Sequence, residues 1–216
     1  MPDKVADICG IFPPTRYPRQ GPSCHGAEDQ GSMASESREV RYELARNRAR
    51  GLLTLTRLRP PVDIETVIDL AGIPIVERVL SEEVRGTIGD VAGRRSIILN
   101  RRWRFSSVAE RQWVLAEELG HILLDHRLVE STQPGKSSIG LLEEPRYIYE
   151  REARAFAAEL LMPFAEVRRR WFALIHEQRL EGELSVEGRV EHLAAEFGVT
   201  PTAMRVRLQQ IKLIPS

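Results

Sequence analysis

The chain has almost no cysteine. Its two, Cys9 and Cys24, both fall among the first thirty residues, which is no disulfide framework and points to a reducing cytoplasm. A long apolar run is also missing: no segment approaches the roughly 18 residues that a spanning helix needs. The N-terminus lacks the basic region and apolar core of a secretory leader, so neither secretion nor membrane insertion is expected. Net charge is absent too. Lys+Arg and Asp+Glu number 31 each, so no global field draws the chain to nucleic acid or a membrane, and a role on either would need a local patch.

What remains is 216 residues, 42% apolar and 29% charged, enough to bury a core as one domain or as one domain with a small appendage. Residues 1–36 mix Pro, Gly and Ser without apolar periodicity, a composition that cannot offset its ordering entropy and reads as a disordered tail. Met33 is an alternative start within it, and Cys24 with His25 has no partner pair with which to hold a metal. From Arg38 the pattern changes. Val40, Leu44, Leu52, Leu53 and Leu55 recur among charges as in a helix that stops before Pro60 and Pro61. Asp63 caps a short helix through Leu70, with Gly72 just past its end. Three extended segments follow, IPIVERVL, VRGTIGDVA and RSIILN, the last two joined through Gly93 as a hairpin.

The chemistry sits in RQWVLAEELGHILLDHR, residues 111–127. Ser107 and Glu110 form the S-x-x-E capping box, which starts a helix at Val108 that runs to about Asp125. Leu115, Leu119, Ile122 and Leu123 make its buried stripe. In H-E-x-x-H, two histidines one turn apart grip a metal and the intervening glutamate activates a water. Here Glu117 stands in the first histidine's place, four residues before His121 and on the same face, with Glu118 beside them. His126 lies five residues beyond His121, off that face, and reads as a surface or helix-end residue. After a Gly- and Ser-rich loop, a helix starting near Pro145 carries Glu150, Ala153, Ala157 and Leu161 along one face and closes at Pro163. A carboxylate followed by two alanines suggests close packing on another helix.

WVLAEELGHILLDH followed by EREARAFAAELLMP resembles the ImmA/IrrE family of metallopeptidases, and the likeness extends over roughly residues 38–214, from PPVDIETVIDLAGIPIV to LAAEFGVTPTAMRVRL. The resemblance implies an α+β fold: a minimal zincin-like domain over residues 37–180, with helices packed on a small three-stranded sheet, and a helical, HTH-like appendage over 181–216. It implies a Zn2+ (or Mn2+) centre with His121 and Glu150 as ligands, Glu118 as general base, and Glu117 in the position of the first histidine. It also implies an Xre-like repressor as the partner that is cleaved. This chain departs from the family twice. Glu117 replaces the histidine, and Arg154 stands where Asn or Asp usually accepts that histidine's ring N–H. A glutamate only accepts and an arginine only donates, so the two departures are complementary. Either Glu117 binds metal through one oxygen while Arg154 holds the other, or Arg154 enters the metal position and makes an ion-pair core in an inactive, metal-free repressor-binding module. In the C-terminal part, Arg205, Arg207 and Lys212 give the last helix a basic face. Direct DNA contact is not expected from so neutral a chain, and docking of a partner is the preferred role.

Overall fold

The computed structural model describes residues 30–126, 143–181 and 185–216. Helix α1 spans Gln30–Thr56 and α2 spans Ile64–Leu70; strands β1 (Ile75–Arg78), β2 (Gly86–Val91) and β3 (Arg94–Asn100) follow. Helices α3 (Val108–Leu123), α4 (Glu143–Leu161), α5 (Phe164–Glu181), α6 (Val186–Phe197) and α7 (Pro201–Gln210) complete an α+β chain. The first helix begins inside the stretch read from composition as a tail; residues 1–29, with Cys9, Cys24 and His25, lie outside the described residues.

The caps explain the boundaries. Asp63 accepts from the Glu65 N–H at 3.1 Å and opens α2, and Gly72 leaves it at φ 65°, a left-handed turn that glycine adopts without strain. Ser107 accepts from the Glu110 N–H at 3.1 Å, but the Glu110 carboxylate reaches back to the N–H and hydroxyl of Ser106 rather than to Ser107. Ala92 and Gly93, both at positive φ, form the two-residue turn between β2 and β3. The sheet order is β1-β3-β2, with Ile97 of the central strand opposite Ile75 in parallel register and Ile88 in antiparallel register. Buried Asn100 donates to the carbonyls of Ser81 and Val84 and accepts from the N–H groups of Leu80 and Arg102, pinning the β1–β2 connection.

One continuous core joins Leu52 of α1, Ile64 of α2, Ile97 and Leu99 of β3, Leu115 and Leu119 of α3, and Phe156 and Leu160 of α4. It extends to Leu193 and Phe197 of α6 and to Met204 and Leu208 of α7. Helix α4 packs between α1 and α3, and α3 lies against the sheet. The centre of the molecule is therefore the α3–α4 junction.

Candidate metal centre

Two helices bring the candidate ligands together because one contact between them is very close. A Cβ placed on Gly120 would stand 3.0 Å from Phe156 Cδ1 and 3.3 Å from both Cα and O of Ala153. Glycine on α3 and alanine on α4 let the backbones approach, as the two alanines after Glu150 suggested. Helix α3 then presents Glu117 and His121 toward Glu150 and Arg154 of α4, while the Glu118 side chain passes beside Gly86 of β2. His121 Nε2 lies 3.8 Å from Glu150 Oε1. Arg154 spans the two carboxylates, with Nε 3.3 Å from Glu117 Oε1 and a terminal nitrogen 3.9 Å from Glu150 Oε2. The Glu117 side chain is 13% exposed, His121 14% and Arg154 60%, so the arginine caps the cluster from the solvent side.

Crowding of carboxylates away from water sets the electrostatics. Burial raises the pKa of Glu117, against a hydrogen bond from Trp113 and the attraction of Arg154. Burial, followed by the charges of Glu117 and Glu150, pushes Glu118 up to about 8. His121 is lowered to about 4, first by burial and then by His126 and Arg95. At neutral pH the metal-free cluster thus holds a neutral imidazole and a protonated Glu118.

His126 corrects the sequence reading. It is buried, 1% exposed, and its Nδ1 lies 3.0 Å from His121 Nδ1. The helix does not continue to it. Asp125 takes φ 55°, its N–H bonds to the Ile122 carbonyl at 3.1 Å, and the His126 N–H bonds to the His121 carbonyl at 3.0 Å. These are the two bonds of a Schellman ending. Arg95 of β3 grips this turn through Asp125 at 2.8 Å and through the His126 carbonyl. The ring swings inward, where its Nε2 lies 2.9 Å from Glu152 Oε2. Glu152, also missed in the sequence, is buried and paired with Arg41 of α1. Burial alone would raise its pKa, but the bonds from His126 and Arg41 hold it below the usual carboxylate range.

The donor types suit a divalent cation: one neutral imidazole and two carboxylates. Two donors on one tetrahedral zinc stand roughly 3.4 Å apart, given bond lengths near 2.1 Å, and the 3.8 Å between His121 Nε2 and Glu150 Oε1 is close to that span. Glu117 has one oxygen turned to Arg154, and among the described residues no three His, Cys, Asp or Glu side chains already converge as a metal-binding group. Beside Arg154 opens a cleft of about 590 Å³ lined by Tyr42, Trp113, Tyr147 and Arg151 and reaching Val206 of α7.

Comparison with protein families matches residues 69–209 to the IrrE N-terminal-like domain of the M78 peptidases, a span that holds Glu117, Glu118, His121, Glu150 and Arg154 but not Arg41 or Tyr42 of α1. No curated protein matches the chain.

Proposed function

Because the chain belongs to the IrrE N-terminal-like family of M78 peptidases, which implies a divalent metal, we propose that it is a zinc-dependent endopeptidase, acting in the cytoplasm on a partner protein, an Xre-like transcriptional repressor. The observation that carries this reading is the approach of His121 Nε2 to within 3.8 Å of Glu150 Oε1 across the α3–α4 junction, with the buried Glu118 carboxyl near enough to feel the charges of Glu117 and Glu150. Glu117, His121 and Glu150 would hold the ion, zinc or alternatively manganese. Once bound, the cation supplies Lewis-acid polarisation of the scissile carbonyl and of the attacking water.

The protein's own groups do the rest. Glu118 is protonated at neutral pH in the metal-free protein, first because burial disfavours its charge and then because Glu117 and Glu150 stand near it. With a cation held there, Glu118 would lose its proton more readily and would take the water's proton and deliver it to the leaving amine. Arg154 neutralises part of the charge on Glu117 and Glu150 and limits access from solvent. The aromatic and arginine-lined cleft beside it suits an extended polypeptide. Among the described residues no helix is long and apolar enough to cross a membrane.

A second reading has its own observation. The Arg154 guanidinium already bridges Glu117 and Glu150, as a cation would in a metal-free module that binds the repressor without cutting it. Incubation of the full chain with a purified Xre-type repressor separates the two. Under the enzyme reading, Glu118→Gln keeps repressor binding and cuts cleavage at least about a hundredfold. Equal cleavage by both proteins removes Glu118 from the mechanism, and tight binding with no cleavage by the wild type, zinc-supplemented, establishes the second reading.

A further inference from the structure

We infer that His126 and Glu152, with Arg41 behind them, are positioning residues that fix the tautomer and ring plane of His121, so that an unprotonated Nε2 is presented to the pocket between α3 and α4. The chain of contacts is continuous. Arg41 Nε donates to Glu152 Oε1, Glu152 Oε2 lies 2.9 Å from His126 Nε2, and His126 Nδ1 lies 3.0 Å from His121 Nδ1.

Hydrogen-bond polarity then propagates in one direction. A carboxylate paired with a guanidinium can only accept, so the proton of the Glu152 contact belongs to His126 Nε2. A neutral imidazole with Nε2 protonated has an acceptor at Nδ1, and the 3.0 Å contact between two ring nitrogens needs one donor. With the His126 ring neutral, the donor is His121 Nδ1–H. Its Nε2 is left with a bare lone pair, 3.8 Å from Glu150 Oε1. The ring planes are held as well. Tyr149 stacks on His126 at 4.4 Å between centroids and 18° between planes, and His121 meets His126 edge-on at 5.0 Å and 71°. The relay comes from α1, from α4 and from the turn after α3 that Arg95 secures, whereas the Glu117–Arg154 substitution lies on the other side of His121. Alteration of the motif therefore leaves the presentation of His121 Nε2 intact.

The relevance to metal rests on the peptidase reading, but the tautomer is measured on metal-free protein, so the two ideas fail separately. Long-range proton–nitrogen correlation spectra of the chelator-treated full chain, labelled with 15N-histidine and recorded at pH 7.5, report which nitrogen of His121 carries the proton; its signals are assigned by their loss in His121→Asn. The expected result is the Nδ1–H form in the wild type. His126→Gln should keep it, because the Gln carbonyl accepts from His121 and its amide donates to Glu152. His126→Phe offers no acceptor and should shift His121 to the Nε2–H form. Zinc affinity should follow the same order, little changed in Gln and about 10–100-fold weaker in Phe. An Nε2–H form in the wild type overturns the inference, whether or not the variants fold. A tautomer that survives His126→Phe overturns it equally.

Discussion

Arg154 and Glu117 invert the usual polarity of the first ligand position: an acceptor stands where a ring would donate, and a donor stands behind it. Their 3.3 Å contact makes them one unit, and the unit can be taken apart. Glu117→His alone leaves a guanidinium against a metal-ready imidazole, while Arg154→Asn alone leaves Glu117 without its counter-charge. The double variant supplies both an imidazole and its acceptor. Zinc titrations of all four proteins should give the double variant an affinity at least about tenfold above the product of the single effects, a coupling of roughly 1.4 kcal/mol; strictly additive affinities would place Arg154 outside the site. Glu118 makes a pH prediction. Its folded-state pKa is about 8 without metal, against roughly 4.3 for a glutamate in an unfolded chain. Below the lower value both states keep the proton. As pH rises above it the unfolded chain ionises first, so stability drains until the folded carboxyl also ionises near 8. Urea unfolding in chelator should therefore show Glu118→Gln gaining on the wild type from about 1 kcal/mol at pH 5 to roughly 4–5 kcal/mol at pH 8, and a difference independent of pH would contradict the assignment. That Glu117 and His121 share one face of α3, and that Glu150 shares the α4 face of Ala153 and Ala157, was legible in the sequence because helical periodicity places them. His126 was not, because 100° per residue holds only inside a helix and Asp125 at φ 55° ends it one residue earlier.

The elements that frame the site are read from local signals: Asp63, Ser107 and Thr200 as N-caps and Gly198 at φ 66° as a C-terminal stop. The start of α1 at Gln30 carries no such signal, since no apolar periodicity marks its first turns. Spacing between elements is subtler. The alanines on α4 hinted at a close approach, but the partner, Gly120, is known only once α3 and α4 are docked. Alanine at Gly120 should gain about 1 kcal/mol in helix propensity, yet its Cβ would sit 3.0 Å from Phe156 and 3.3 Å from the Ala153 backbone. Backbone cannot rotate away, so the overpacking cost of about 1–3 kcal/mol wins. Gly120→Ala should unfold at lower urea, with a net loss of about 1 kcal/mol at the middle of that range, and should weaken zinc binding by moving His121 away from Glu150. An unchanged midpoint would mean that the helices are not in this contact.

On the scale of the whole molecule, charge expected on the surface is used inside. Arg207, read from the sequence as part of a basic face, is buried: it donates to the Met162 carbonyl at 3.0 Å and pairs with Glu159. Glu159 also accepts from Arg50 of α1 at 2.9 Å. A carboxylate shared by two arginines thus ties α7 to α4 and α1, and the desolvation that lowers the pKa of Arg207 is offset by these bonds. Sequence could assign the basic residues to a helix but not to a side of it, because only the folded contacts show where Glu159 lies. Helices α6 and α7 share the core of the remaining chain. That core holds α3 against α4 and so brings His121 and Arg154 to Glu150 and Glu117; the proposed function adds a divalent ion between them. The most direct test is metal analysis of the full chain purified without chelator, with zinc and manganese titrations of the wild type and His121→Ala. One equivalent of metal in the wild type, lost on His121→Ala, is the predicted result; a wild-type chain that takes up neither ion at micromolar concentration would contradict the account.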